Sequence, residues 1–346
     1  MLVQRLANSL MHREGRCAAP ARRASEDVPG EYGELAQRSW SGGSGTRMPG
    51  YLRDVALGRV TVGLLFLLLV WGNLVAGLKA GLACPDWPLC HGKILPPFRW
   101  DIYMEFGHRV IAAVASIFLI ALAARRYRKY EGSARALPVL AIVLLLVEIG
   151  MGGAVVLLET PVRLTTIHFM AGLLVFLLAF FMMTFDGERE RPAFAFRGPA
   201  ALFLSVVALV YSQSALGAFV RHLEAGLACP DFPTCLGKWV PPLFAGPVLA
   251  HFSHRTLGYL VLLTAAMVYL FVRRDPRQRG NRPLALSFLV LVAAQVGVGA
   301  LVVWSGLHYL ATALHLTVAL GMLSVLAHLW VNAARAEGAA RSLPRS

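Results

Sequence analysis

Residues 81–93 read GLACPDWPLCHGK, and residues 226–238 read GLACPDFPTCLGK. The phrases differ only at Trp87/Phe232, Leu89/Thr234 and His91/Leu236, and a Pro-Pro pair follows each, Pro96-Pro97 and Pro241-Pro242. Two cysteines and two prolines in so short a stretch make a loop rather than a helix or strand. A loop written twice, 145 residues apart, divides the chain into two copies of one unit. What flanks each loop therefore sets the fold.

The flanks are apolar. Stretches at about 57–78, 103–124, 137–158, 163–185, 199–220, 249–272, 284–304 and 308–331 are each as long as a bilayer-spanning helix, which needs ~20 residues. A chain that is 57% hydrophobic and 15% charged, with a mean hydropathy of +0.61, lies outside the soluble range. Continuous apolar runs satisfy their backbone in lipid as helices. The expected fold is an all-α integral membrane protein of eight transmembrane helices, arranged as two tandem, parallel-repeat four-helix bundles. Residues 53–186 form the first bundle and 198–332 the second, with a tail at 333–346. Residues 1–52 are polar and Gly/Ser-rich, without the apolar core of a secretory signal. They read as a disordered leader, and Met48 is an alternative start.

Basic residues set the orientation. Arg125, Arg126, Arg128, Lys129, Arg189, Arg273, Arg274 and Arg277 fall in the 2–3, 4–5 and 6–7 connections. The positive-inside rule puts these and both termini in the cytoplasm of a plasma-membrane protein, and the cysteine loops outside. The net charge of +14 then reflects topology and contact with anionic headgroups, and requires no nucleic-acid partner.

The repeat extends into the helices. His108 maps onto His254 and His168 onto His315, and Gly150, Gly152 and Gly153 are echoed by Gly297 and Gly299, small residues that let helices 3 and 7 pack closely. Four helices return the chain to its starting side, so the halves are parallel repeats. Helices 2, 4, 6 and 8 all enter from the outer face, and each carries one of these histidines about six residues, or ~9 Å, inside it. Two imidazoles at one depth on two helices match the axial ligands of an iron porphyrin. Zinc suits the pattern less, because each half offers only two histidines in the bilayer. Haem sites side by side near the outer leaflet also weaken a transmembrane electron-carrier reading.

The halves differ at one telling position. Glu105 stands three residues before His108, where the second half has His251 before His254. An i, i+3 pair shares a helix face, so Glu105 is expected to face the porphyrin as a base or an electrostatic stabiliser, or else to orient a ligand. The asymmetry suggests a reactive first half and a resident cofactor in the second. Glu148, opposite Gln295, reads as structural. Arg109 and Arg255 are candidates for propionate contacts or for snorkelling to headgroups. Cys84 with Cys90, and Cys229 with Cys235, read as disulfide staples over the site or as redox-active pairs.

Taken together, GLACPDWPLC, EFGHR (105–109), TTIHFMAG (165–172), HFSHR (251–255) and TALHLTVALG (312–321) resemble the haem A synthase family over about residues 55–331. The resemblance implies oxidation of a methyl group of haem O to a formyl group, giving haem A for terminal oxidases. It implies substrate haem between His108 and His168, haem B between His254 and His315, and Glu105 as the catalytic acid. The family's Val-Arg before the cysteine loop is kept at Val220-Arg221, which adds Arg221 to the propionate candidates, but the first half reads Val75-Ala76. Further expected partners are an electron partner, a haem O synthase and a second copy of the chain. Two other functions fit the same residues. One is a haem-binding or transfer protein without chemistry, and the other a thiol oxidoreductase using the outer cysteines.

Overall fold

A computed structural model of the protein describes residues 50–185, 198–242 and 246–342. The leader expected at 1–52 lies almost wholly outside the described residues. Eight long helices run through them: α1 (Gly50–Gly77), α2 (Trp100–Lys129), α3 (Ala136–Leu157), α4 (Val162–Thr184), α5 (Gly198–His222), α6 (Gly246–Arg274), α7 (Arg282–Trp304) and α8 (Tyr309–Ser342). All eight are long and apolar enough to cross a membrane, with mean hydropathy between 1.7 and 2.6 over their best windows. The protein is a multi-pass membrane protein.

Local chemistry sets the helix ends. Pro161 stands at the N-cap of α4, and a proline in the first turn opens α7, where the missing N–H has no partner to lose. After α3 the chain reverses through Glu159 and Thr160 at φ 57° and 58°, and after α7 through Gly306 and Leu307 at 62° and 66°. The last helix continues well past Asn332, where the sequence reading ended its bundle. Asp54 near the start of α1 is buried and paired with Arg125 and Lys129 of α2. This fastens the arginine-rich end of that hairpin.

The helices close into two rings of four. In sequence order α1, α2, α3 and α4 each pack on the next and α4 packs on α1; α5 to α8 do the same. The rings meet where α1 touches α8, α4 touches α5, and α4 touches α8. The innermost helices are α8 and α4, with 56% and 44% of their windows buried against 17–28% for the others. Their core includes Leu173, Phe176, Leu320 and Leu323, packed with Leu119, Phe203 and Phe288. The connections after α1, α3, α5 and α7 gather at one end of the bundle, here the loop end, and the arginine-rich connections at the other.

Candidate functional site

Each cysteine phrase folds as a stapled hairpin. Disulfides join Cys84 to Cys90 and Cys229 to Cys235. Cys90 and Lys93 exchange backbone hydrogen bonds of 3.1 and 3.2 Å, as do Cys235 and Lys238 at 2.9 and 3.1 Å. The two residues between them have positive φ: His91 and Gly92 at 54° and 66°, Leu236 and Gly237 at 55° and 72°. This is the left-handed pair that a two-residue turn demands, and it accounts for the glycine in each phrase. The aspartate of CPD closes the loop from within. Asp86 accepts from the N–H groups of His91 (2.6 Å) and Gly92 (2.7 Å). Asp231 accepts from those of Leu236 (2.7 Å) and Gly237 (2.9 Å), and from the Thr234 hydroxyl. The Gly92 N–H bond, foremost, lowers the Asp86 carboxyl, while the Thr234 hydroxyl and Gly237 N–H hold Asp231 down to about 2.

Both loops are pinned to the helix that follows. The Arg109 guanidinium donates to the carbonyls of Cys84 (3.0 Å), Asp86 (2.7 Å) and Leu89 (2.5 Å). Arg255 donates to those of Cys229 (2.6 Å), Asp231 (2.6 Å) and Thr234 (2.7 Å). Both of these propionate candidates thus rest on loop carbonyls. Glu105, 4% exposed, receives Arg109 at 2.6 Å on Oε1 and the Cys84 N–H at 2.7 Å on Oε2. His251, 5% exposed, has the Cys229 N–H 3.3 Å from Nδ1 and Arg255 Nε 3.1 Å from Nε2, and as a neutral imidazole it accepts from one of the two. The two residues hold the same station. The structure puts the Glu105 carboxylate beneath the loop, three residues before His108 on the same helix.

The four histidines keep matched places on their helices. His108 and His254 each lie eight residues beyond the first residue of α2 and α6, and His168 and His315 six beyond that of α4 and α8. Each ring rests on a glycine of the preceding helix. A Cβ added at Gly72 would stand 2.9 Å from His108 Cε1, and one at Gly217 2.8 Å from His254 Cε1. At Gly152 and Gly299 the separations from His168 and His315 Cε1 would be 3.3 and 3.2 Å. All four Nδ1 atoms are buried without a hydrogen-bond partner. Glu148 Oε1 stands 3.1 Å from His168 Nδ1, off the hydrogen-bond line, and Glu148 Oε2 is also unpaired. Its counterpart Gln295 has a buried, unpaired Oε1.

The second pair has the spacing of two axial ligands on one metal. The His254 and His315 centroids are 6.4 Å apart with planes at 70°. Two imidazoles sharing one metal at ~2.0–2.1 Å per bond bring their centroids to about this spacing. Among the described residues no three His, Cys, Asp or Glu side chains gather as a metal cluster. A pair of imidazoles in an apolar wall suits a metal whose remaining ligands come with a macrocycle. Buried, unpaired imidazole nitrogens each cost about 1–3 kcal/mol, which a packing role leaves without return.

Comparison with known proteins bears on the same residues. A family model for cytochrome oxidase assembly protein, COX15-CtaA, matches residues 97–327. The chain is 33% identical over 290 residues to a protein named Heme A synthase from Symbiobacterium thermophilum, covering 80% of this chain and 94% of that one. The chain belongs to the haem A synthase family. Another relative of that name, from Exiguobacterium sp., is 31% identical over 294 residues, 82% of this chain and 95% of its own. A third, from Halalkalibacterium halodurans, is 29% identical over 250 residues, 69% and 83% of the two chains. All four histidines and both pinning arginines lie within the matched family region; the first cysteine loop lies just before it.

Several residues of this arrangement in the haem A synthase family member were not singled out from the sequence. Asp86 and Asp231 were legible only as part of a repeated phrase. Gly72 and Gly217 repeat at the same 145-residue spacing as the loops, a signal that identifies them once helix neighbours are known. Trp71 donates to the Met104 carbonyl at 2.9 Å, and Gln213 to that of His254 at 2.8 Å. Both tie a histidine-bearing helix to the helix before it.

Proposed function

We propose that this chain is a haem A synthase, oxidising a methyl group of haem O to a formyl group. The observation that carries the reading is the doubled imidazole site: four histidines at matched positions, each ring laid on a glycine, with the second pair at metal-sharing distance. The relatives that bear the name support it.

The two four-helix rings act as two repeats, 53–186 and 198–332. Haem O is the substrate of the first, between His108 and His168, and haem B is resident in the second, between His254 and His315. When bound, the resident haem supplies one-electron redox chemistry. The chain's own residues position and enclose. Gly72, Gly152, Gly217 and Gly299 let the imidazoles lie against the neighbouring helices, which fixes ring orientation. The stapled loops, held by Arg109 and Arg255, cap the loop end and limit water. Methyl-to-formyl oxidation takes one oxygen atom, balanced by one water, and releases four protons and four electrons, the electrons passing to an acceptor outside the chain. The loop end faces away from the cytoplasm.

Glu105 enters this reading as the catalytic candidate, with Arg109 and the Cys84 N–H each holding one of its oxygens in place. The cysteines enter as staples: Cys84, Cys90, Cys229 and Cys235 are at most 2% exposed, which supports a structural role over thiol exchange. The test is extraction of pigment from the full-length protein made with and without a haem O supply, followed by mass analysis. Recovery of the formyl product, or of an alcohol precursor, only when haem O is supplied is expected. Recovery of unaltered haem O alone would leave a transfer protein in its place.

A further inference from the structure

Between the two histidine pairs, at the loop end, lies a polar seam that the reaction as described does not use. Arg221, in the last turn of α5, crosses to the other ring and donates to the Asn73 carbonyl of α1 at 3.3 Å. Its Nη2 and Tyr309 Cβ converge on Gly77, 3.3 and 3.0 Å from where a Cβ there would stand. Beside it, His222 Nδ1 and the Thr166 hydroxyl are 3.0 Å apart, linking α5 to α4. Asn73 Oδ1 is buried and unpaired. Gly77 and Ala76 are the first-half counterparts of His222 and Arg221, so this seam is built from one side only.

Arg221 differs from the other basic residues of this end. Arg109 and Arg255 are spent on loop carbonyls, Arg99 is paired with Asp101, and the lysines are exposed. Arg221 is half-buried, with one carbonyl as its hydrogen-bond partner and no carboxylate in reach among the described residues. A guanidinium in such surroundings is costly without an anion, and its fork matches a carboxylate. Its position matches a particular one. Arg221 starts one helical turn (~5.4 Å) beyond Gly217, the rest for the His254 ring, but its hydrogen bond carries the guanidinium across to Asn73, which follows Gly72, the rest for the His108 ring.

We propose that Arg221, supplied by the second ring, binds a carboxylate of the porphyrin held between His108 and His168. The substrate half lacks an arginine at Ala76 and borrows one across the interface. This inference rests on the haem reading above. It also makes the substrate site incomplete without the second half, so the two rings have to dock before substrate is held correctly.

The test uses the full chain carrying His254→Ala and His315→Ala, which leaves the first pair alone, titrated by Soret absorbance with ferric protoporphyrin IX and with its dimethyl ester. The free acid is expected to bind about tenfold or more tighter than the ester, the strength of a charge-assisted pair. Arg221→Gln should remove that preference while leaving ester affinity unchanged, which also certifies the fold; Arg221→Lys should keep part of it. Equal affinities before Arg221 is changed, or a preference that survives Arg221→Gln, would overturn the inference and spare the haem reading. If neither porphyrin binds, the haem reading falls and takes this one with it.

Discussion

His251 occupies in the second half the station that Glu105 occupies in the first. Each lies beneath the backbone N–H of the leading cysteine of its loop, Cys229 at 3.3 Å and Cys84 at 2.7 Å, and each touches the arginine four residues on. The pairing gives His251 a role and adds one to Glu105. An imidazole and a carboxylate both hold the loop, and only the carboxylate neutralises its arginine.

Glu105→Ala should therefore damage the loop before it damages haem ligation. Glu105 and Arg109 lie 2.6 Å apart with side chains 5% and 16% exposed. Breaking such a buried pair costs about 3 kcal/mol or more, because one charge is left behind. Thermal unfolding in detergent should show this loss, with haem content preserved in the folded fraction. Glu105→His, which copies the second half, should recover the loop contact but not the charge, and so part of the stability. Equal melting of all three proteins would remove Glu105 from the loop's support.

The glycines that seat the rings give a site-selective prediction. Gly72→Ala should lower haem occupancy of the first pair alone, and Gly217→Ala that of the second, since each added Cβ falls within 2.9 Å of an imidazole carbon. Gly63→Ala is the control: nothing lies within 4 Å, and replacing a glycine inside a helix gains about 0.5–1 kcal/mol. Haem counts per chain by pyridine haemochrome distinguish these outcomes.

Much of this was legible in the sequence, and the limit has a physical cause. Spans, loop placement and the depth of His108, His168, His254 and His315 follow from hydropathy and from counting along a helix. The surroundings of Glu105 and Arg109 do not. Helical periodicity puts Glu105 on the face of His108, but says nothing of a hairpin folding back to place Cys84 N–H on its carboxylate. The carbonyls that claim Arg109 and Arg255 belong to backbone, and no side-chain pattern announces them. Gly72 and Gly217 acquire meaning only when α1 lies on α2 and α5 on α6.

Arg255→Ala should loosen the second loop without breaking its disulfide. Three carbonyls lose their donor at once, and each unpaired group costs about 1–3 kcal/mol to the extent that it is buried. Cys229 and Cys235 should then be reduced and alkylated faster under mild reductant, while Cys84 and Cys90 keep their rate. Matched rates at both loops would contradict the pinning role.

The loops should resist acid until their aspartates titrate. Thr234 and Gly237 hold Asp231 at about 2, and the Gly92 N–H lowers Asp86. A carboxylate depressed in the folded state stabilises it above the ordinary value of ~3.9 and loses that contribution as pH falls through the folded value. Hydrogen exchange at Leu236 and Gly237 should show protection that does not weaken between pH 7 and about 5 and falls below about 4. In Asp231→Asn the acid-dependent step should vanish.

Paired imidazoles holding iron are the central requirement, and the second pair tests it most directly. The measurement is the low-temperature EPR spectrum of the oxidised, purified protein with and without His315→Ala. A low-spin signal of two imidazoles on one iron is predicted, lost for one haem per chain in the variant. A protein without Soret absorbance, or a low-spin signal untouched by His315→Ala, would contradict it.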